Sequence, residues 1–164
     1  MKEVILTHDQ IMHILRRMAF QILESNAYET ELTIAGIDGS GYLLAQKIAA
    51  ELEKVSDIQL LVIKVSLNKK APKAEEITLD HQKSLGDKSV VLVDDVLNSG
   101  ATLMYGCLPF LKQGVRKLKT AVLVNRNHKR YPVKADFKGI SLSTSTQTHI
   151  EVTLEDGAYS AYLQ

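Results

Sequence analysis

The residues best suited to chemistry are two adjacent carboxylates, Asp94 and Asp95, which end an apolar run in the stretch VVLVDDVLNSGAT at residues 90–102. An apolar run bounded by turn residues is typical of a strand that is buried on both faces of a sheet. The two acids are therefore expected where the carboxyl end of that strand meets solvent, which is where open α/β sheets bind ligands. Paired carboxylates there can accept hydrogen bonds from the vicinal hydroxyls of a sugar.

A small polar turn at residues 98–102 follows the acids and opens a predicted helix. Gly100 permits a tight turn, and successive backbone amides that lead into a helix N-terminus converge on one point. Together with the hydroxyls of Ser99 and Thr102, these amides form an anion site suited to phosphate. No lysine follows the glycine as in a P-loop, and no glycine triplet is present, so nucleoside triphosphates and dinucleotides are disfavoured as ligands.

A phosphate-binding turn beside a diol-binding pair of acids describes a site for a 5-phosphorylated ribose. The residues alone leave a structural alternative open, because acids at a strand end also cap helices or bind solvent. Small polar turns are likewise common in α/β domains. The spacing of the residues does not decide between the two interpretations.

The elements that would position these residues alternate between helix and strand. Thr7 and Gln10 have the form of a capping box, and apolar residues then recur at helical spacing, which predicts a helix over residues 7–25. The other predicted elements are helices at 42–54 and about 101–113, and strands at 32–37, 58–65, 89–93, 118–124, 135–140 and 150–155. This order indicates an α/β fold with a central, mostly parallel sheet and helices on both faces, in one domain over residues 1–164.

The composition excludes several classes of protein. With 164 residues, of which 45% are hydrophobic and 24% charged, the chain is long enough for a core and is neither disordered nor a coiled coil. Its apolar runs are too short for a membrane span, and Lys2 and Glu3 begin no signal peptide, so we expect a cytoplasmic protein without a membrane partner. The single cysteine, Cys107, is expected to be a small buried hydrophobic residue.

The net charge of +1 hides a basic tract. Residues 112–138 contain nine Lys or Arg and the single acid Asp136, whereas residues 1–60 contain nine acidic and five basic side chains. Such a tract can attract an anion, and nucleic acid is one candidate. A solvated surface is the favoured interpretation, because no aromatic-rich binding motif interleaves the charges.

The stretch VVLVDDVLNSGAT resembles the signature of the type I phosphoribosyltransferases. The segment LVNRNHKRYPVKADFKG at 123–139, followed by STS at 143–145, is similar to one branch of that family, the bifunctional pyrimidine operon regulators and uracil phosphoribosyltransferases. The resemblance covers nearly the whole chain. It implies a type I phosphoribosyltransferase-like fold, with a small hood formed by C-terminal and N-terminal segments over the central sheet.

The resemblance also implies roles for particular residues. Two acids would hold the ribose hydroxyls of phosphoribosyl pyrophosphate, and a magnesium ion would be bound through that substrate rather than by a protein cage. The implied residues are Asp94 and Asp95 for ribose; Asn98, Ser99, Gly100, Ala101 and Thr102 for the 5-phosphate; Asp38, Gly39, Ser40 and Gly41 for pyrophosphate; Lys69, Lys70 and Lys73 on a flexible loop at about 66–80; and Asn125, Arg126 and Phe137 in the hood that chooses the base. A homo-oligomer, dimer or tetramer, is expected from the same resemblance.

The chain departs from this branch at several positions. The sequence DGSG at residues 38–41 stands where the branch usually has an arginine-containing pyrophosphate loop, and Ala101 replaces an arginine in the phosphate turn. Ser143 replaces a proline in the C-terminal motif. Asn98 stands where many purine enzymes of the superfamily have a catalytic aspartate, so removal of a proton from a purine is disfavoured.

Three functions remain open from the sequence. The leading one is transfer of the phosphoribosyl group to a nucleobase, with uracil favoured. The second is an RNA-binding, nucleotide-sensing pyrimidine operon regulator with weak or no catalysis, which would contact RNA through the basic tract at 112–138. The third is a nucleotide-sensing domain that lacks both activities.

Overall fold

A computed structural model describes residues 2–164 and gives two sheets and four helices. The helices are α1 (His8–Ser25), α2 (Ser40–Val55), α3 (Ala101–Gly106) and α4 (Leu108–Gln113). The strands are β1 (Glu3–Leu6), β2 (Glu31–Ile37), β3 (Gln59–Ser66), β4 (Thr78–Leu79), β5 (Ser89–Leu97), β6 (Lys117–Arg126), β7 (Phe137–Leu142), β8 (Ile150–Thr153) and β9 (Ser160–Leu163). The capping box at the start of α1 is confirmed, with the Thr7 N–H donating to Gln10 Oε1 over 2.9 Å.

The larger sheet has six strands in the order β4-β3-β2-β5-β6-β7, and only β4 runs antiparallel to its neighbour. Strand β5 lies between β2 and β6, so both of its edges are paired. Its side chains alternate between two cores: Val91 and Val93 pack toward α1 and α2, whereas Val90 and Leu92 pack toward α3 and α4. This double burial explains the continuous aliphatic run and confirms the predicted mostly parallel sheet with helices on both faces.

The smaller sheet combines the two ends of the chain in the order β1-β9-β8. All of its pairings are antiparallel, with Glu3 opposite Leu163 and Ile150 opposite Leu163 on the other side. The Tyr159 N–H donates to His8 Nδ1 over 3.1 Å, which ties this sheet to the start of α1. The expected hood is therefore present and is built from N-terminal and C-terminal strands together.

Strands β1, β4 and β9 were not predicted from the sequence, and two predicted elements have clearly different bounds. The predicted helix at 101–113 is divided between α3 and α4, because Pro109 has no N–H to donate to the carbonyl four residues earlier. Strand β5 continues to Leu97 because Val96 and Leu97 are also buried and pair with β6, so Asp94 and Asp95 lie inside the strand. Between the two short helices, burial raises the pKa of the half-buried Cys107 thiol to about 11, and the charge of Asp136 adds to this effect.

No helix within residues 2–164 is both long enough and apolar enough to cross a membrane. The assignment of residues 1–164 to one domain stays a prediction.

Candidate functional site

The acid pair lies in the second half of β5, at the edge of the sheet where parallel strands end. Asp94 is almost completely buried, and the side chain of Asp95 keeps one fifth of its surface exposed. Backbone amides hold both carboxylates: the Asp95 N–H donates to Asp94 Oδ1, and the Val96 N–H donates to Asp95 Oδ1, each over 2.9 Å. Two carboxylates are thus held side by side with acceptor oxygens available to a ligand.

A lysine from the loop after β3 neutralises part of this charge. Lys69 Nζ lies 3.1 Å from Asp94 Oδ1 and 3.9 Å from Asp95 Oδ1. Burial, together with the adjacent charge of Asp95, raises the pKa of Asp94 to about 7, although the charge of Lys69 opposes both effects. Burial also lowers the pKa of Lys69, but the charges of Asp94 and Asp95 outweigh that effect and leave it raised. The site therefore contains a carboxyl group whose ionised form is costly without a cation.

This arrangement predicts a pH-dependent stability. The pKa of Asp94 rises from an ordinary value of 3.8 to about 7 on folding, so between these values the folded protein binds more protons than the unfolded chain. The contribution of Asp94 to stability is therefore favourable at low pH and is lost as the pH rises through about 7. In urea titrations, the free energy of unfolding of Asp94→Asn should rise by about 2–3 kcal/mol relative to that of the wild type when the pH is changed from 5 to 8. An equal difference between the two proteins at both pH values would contradict this prediction.

The loop after β2 lies close to the acid pair because residue 41 is a glycine. A Cβ on Gly41 would lie 2.9 Å from Val93 O and 3.0 Å from Asp94 Oδ1, so only glycine lets the start of α2 approach β5 this closely. Gly39 has a φ of +94°, and its N–H donates to the Asp38 carboxylate over 2.9 Å. The predicted pyrophosphate loop is thus brought beside the predicted ribose acids.

The turn after β5 requires a glycine and is hydrogen-bonded to the segment at residues 130–131. Gly100 has a φ of +89°, and a Cβ there would lie 2.6 Å from Val133 Cγ1. The Ser99 carbonyl accepts the N–H groups of Arg130 over 2.7 Å and Tyr131 over 3.1 Å. Because α3 has only six residues, anion binding here would rest on the amides and hydroxyls of the turn rather than on a long helix dipole.

These parts surround one solvent-open cleft of about 530 Å³. The predicted site residues that line it are Ser40, Lys69, Asp94, Asp95, Asn98, Ser99, Ala101 and Thr102. A much smaller hollow of about 40 Å³ also borders Asp94 and the turn. Carboxylates, a turn rich in backbone amides and one ammonium group share a single space, and this combination can bind a phosphorylated polyol.

The opposite wall of the cleft was not identified from the sequence. It is formed by residues 149–152 at the start of β8, including the imidazole of His149 and the carboxylate of Glu151. The alternation in IEVTLE predicted a half-exposed strand, but that pattern does not say which part of the protein the strand faces. The contact between β5 and β8 is seen only in the folded structure and could not be read from the sequence.

Other predicted site residues lie outside this cleft. Lys73 borders a separate groove with Tyr105 and Leu108, while the exposed Lys70 lies in a turn in which its N–H donates to Asn68 Oδ1 over 3.0 Å. Phe137 begins β7 and packs in the core that includes α1. The structure therefore brings only Lys69 of the three predicted loop lysines to the acids.

The two other predicted hood residues, Asn125 and Arg126, are buried at the end of β6. Asn125 Nδ2 donates to Ser141 Oγ over 3.2 Å. Arg126 donates to Asn98 Oδ1 over 2.8 Å and to Thr144 Oγ1 over 2.9 Å. Arg126 thus contacts Asn98 in the predicted phosphate turn and does not line the cleft.

Comparisons with known proteins agree with this geometry. The family model for the phosphoribosyl transferase domain matches residues 2–156. A bifunctional protein PyrR from Leuconostoc citreum is 30% identical over 94% of this chain and 92% of its own length. Another from Enterococcus faecalis is 33% identical over 88% of this chain and 86% of its own length.

Solved structures give the same fold at lower identity. The hypoxanthine phosphoribosyltransferase of Trypanosoma cruzi has a TM-score of 0.78 at 15% identity and covers 97% of this chain and 95% of its own. A hypoxanthine-guanine phosphoribosyltransferase from Bacillus anthracis has a TM-score of 0.71 at 18% identity, covering 86% of this chain and 82% of its own. The chain therefore belongs to the type I phosphoribosyltransferase family, in the branch of the bifunctional PyrR proteins.

Proposed function

We propose that the protein transfers the 5-phosphoribosyl group from phosphoribosyl pyrophosphate to a nucleobase, with uracil as the preferred base. The observation that carries this proposal is the shared cleft, in which Asp94 and Asp95 lie next to the turn at 98–102. In the reaction, a base nitrogen bonds to C1 of the ribose while the bond from C1 to pyrophosphate breaks. The proton of the base nitrogen passes to solvent.

Each group in the cleft has a role in this proposal. Asp94 and Asp95 accept hydrogen bonds from the ribose hydroxyls, and the amides and hydroxyls of residues 98–102 bind the 5-phosphate. Gly39 and Ser40 approach the pyrophosphate, and Lys69 turns from the acids toward the leaving group when substrate binds. The hood strand β8 covers the base and excludes water from the reacting carbon.

The residues fit a magnesium ion that arrives with the substrate. Within residues 2–164, no cluster of three or more His, Cys, Asp or Glu side chains could hold a metal alone. Magnesium commonly uses one or two carboxylates together with substrate phosphates and water, and Asp94 and Asp95 supply such a pair. In the cleft, the ammonium of Lys69 is already paired with Asp94 and Asp95, so a polyanionic substrate needs added positive charge. Bound magnesium would neutralise charge on the leaving pyrophosphate.

Part of the positive charge of the basic tract is paired within the protein, which reduces what the tract offers to RNA. Arg116 donates to both carboxylate oxygens of Glu29, over 2.9 and 2.7 Å. Lys117 donates to the Ser25 carbonyl over 2.6 Å, and Lys119 lies 4.0 Å from Asp136. Arg116, and at 4.0 Å Lys119 and Lys134, are thus paired with carboxylates, whereas Lys117 keeps its full charge, so the tract at 112–138 is only partly neutralised as a phosphate-binding surface.

Pyrophosphate release is the assay that tests the proposed function. Purified protein with phosphoribosyl pyrophosphate and magnesium should release pyrophosphate when uracil is added, and much less with cytosine, adenine, hypoxanthine or guanine. Reactions without a base serve as the control for hydrolysis. Turnover of hypoxanthine or guanine with uracil inert would overturn the choice of base, and no release with any base would overturn the transferase assignment.

A further inference from the structure

A single side chain ties the loop after β3 to the cleft. Within the described residues, Lys69 is the only member of the segment 68–76 that forms a hydrogen bond or ion pair with another part of the chain. Other contacts of this kind are local, because Asn68 Oδ1 accepts the N–H groups of Lys70 over 3.0 Å and Ala71 over 3.1 Å and so closes a turn around Lys69. The polar attachment of this segment to β5 therefore rests on one ammonium group.

This ammonium group lies beside both carboxylates of the acid pair. Lys69 Nζ is 3.1 Å from Asp94 Oδ1 and 3.9 Å from Asp95 Oδ1, and the charge of Asp38 also acts on it. The side chain of Lys69 keeps 42% of its surface exposed, whereas that of Asp94 keeps 4%. Lys69 therefore covers a buried carboxylate from the solvent side of the cleft, and the acid pair already has a cation next to it.

An ammonium group and a divalent metal ion need the same place beside these acids. Magnesium binds carboxylate oxygens directly, at about 2.0–2.1 Å, or through its bound waters. Asp94 Oδ1 already accepts the Asp95 N–H and the Lys69 ammonium. A metal ion placed there would also lie within a few ångströms of the ammonium, where two positive charges repel strongly. Lys69 must therefore leave the acid pair before a metal ion can bind to it.

We propose that Lys69 is an internal competitor of the divalent metal ion: in the empty cleft its ammonium occupies the cation position at Asp94 and Asp95, which excludes the metal and fastens the loop to β5. This inference rests on the proposed function only for its consequence in the reaction. There, the acid pair becomes available to magnesium when a polyanionic substrate draws Lys69 away, so that metal and substrate enter the cleft together. The competition itself belongs to the free protein and requires no turnover.

Binding of manganous ion alone tests the competition, with electron paramagnetic resonance as the measurement. Manganous ion has the charge and the oxygen ligands of magnesium. Lys69→Met, which keeps a long side chain without its charge, should bind it about tenfold more tightly than the wild type, in which only molecules with Lys69 displaced can bind. Lys69→Arg keeps a cation and should keep the weak affinity. Lys70→Met is the matched control, because it removes the same charge from an exposed residue outside the cleft, and it should stay within about twofold of the wild type.

Limited digestion with trypsin tests the attachment of the loop from the side of the acids. Asp94→Asn with Asp95→Asn leaves every lysine in place but removes the charges that hold Lys69. Cleavage after Lys70 and Lys73, identified by mass spectrometry, should become about tenfold faster, because proteolysis follows the population of the detached loop. Glu53→Gln with Asp57→Asn makes the same change in net charge outside the cleft and should be cleaved at the wild-type rate. Thermal unfolding followed by circular dichroism confirms that each variant is folded.

The outcomes distinguish this inference from the proposed function. Equal affinities of the wild type and Lys69→Met for manganous ion would overturn the inference, and so would an equal gain in Lys70→Met, which would be a general effect of net charge. Unchanged cleavage of the loop in the Asp94 and Asp95 variant would overturn it as well. If Lys69→Met gains metal affinity but no base releases pyrophosphate, the transferase assignment fails and the competition stands. If uracil releases pyrophosphate while Lys69→Met gains nothing, the transferase assignment stands and this inference fails.

Discussion

Replacement of both Asp94 and Asp95 by asparagine is expected to weaken magnesium-dependent binding of phosphoribosyl pyrophosphate by at least about 100-fold. Each carboxylate is expected to supply a charge-assisted hydrogen bond, and losing two such bonds costs about 3–6 kcal/mol. Asparagine also removes the negative charge that would attract magnesium. Calorimetry with phosphoribosyl pyrophosphate and magnesium measures the loss directly.

The chain should remain folded in this double variant, because Asp94 is buried at a cost and its replacement removes that cost. A matched control is the variant Glu53→Gln with Asp57→Asn, which removes two exposed charges outside the cleft. This control should bind phosphoribosyl pyrophosphate with unchanged affinity. Retained affinity in the Asp94 and Asp95 variant would remove the ribose assignment, whereas loss in both variants would indicate a general effect of net charge.

Helices α1 and α2, the parallel strands of the larger sheet and the position of Asp94 and Asp95 in β5 could be predicted from the sequence, because they depend on local patterns. A buried parallel strand must be apolar at successive positions, so the run at 89–93 predicted β5, although the strand continues through Asp94 and Asp95 to Leu97. Helix α1 was marked at its start by the Thr7 capping box and along its length by the spacing of its buried residues. The turn at 98–102 could be predicted because a glycine and small polar residues follow one another there.

The parts that could not be predicted depend on contacts between distant segments. Strands β1 and β9 are four residues each and exist because they pair with one another across almost the whole chain. The resemblance placed Arg126 in the hood, but its hydrogen bond to Asn98 spans 28 residues and has no local pattern. In the same way, only the folded loop shows that Lys69 meets the acids while Lys73 faces α3 and α4.

The charges of the cleft explain how the DGSG loop can serve a polyanionic ligand. The Asp38 carboxylate accepts the Gly39 N–H, which anchors it within its own loop. Its charge also contributes to raising the pKa of Lys69, together with the larger effects of Asp94 and Asp95. Lys69, on a neighbouring loop, is paired with Asp94 and Asp95 and also lies within the field of Asp38. Binding of pyrophosphate would then depend on magnesium and Lys69 together.

The close approach of α2 to β5 gives the second large expected effect. In Gly41→Ala, the new methyl group would lie 2.9 Å from Val93 O and 3.0 Å from Asp94 Oδ1, distances at which the backbone must move. Overpacking of this kind costs about 1–3 kcal/mol, which exceeds the gain of up to about 1 kcal/mol from replacing glycine by alanine in a helix. We therefore expect a net loss of about 1–2 kcal/mol in the free energy of unfolding, measured in urea.

Ligand binding should fall more steeply than stability in Gly41→Ala, because the shift displaces the pyrophosphate loop from the acid pair. We expect the affinity for phosphoribosyl pyrophosphate with magnesium to decrease by at least about tenfold, since a displacement of this kind disturbs two groups that bind one ligand. Gly106→Ala is the matched control, because its methyl group would meet only side-chain ends, with Ile37 Cδ1 at 2.9 Å. Unchanged affinity in Gly41→Ala would mean that the start of α2 and Asp94 do not bind the same molecule.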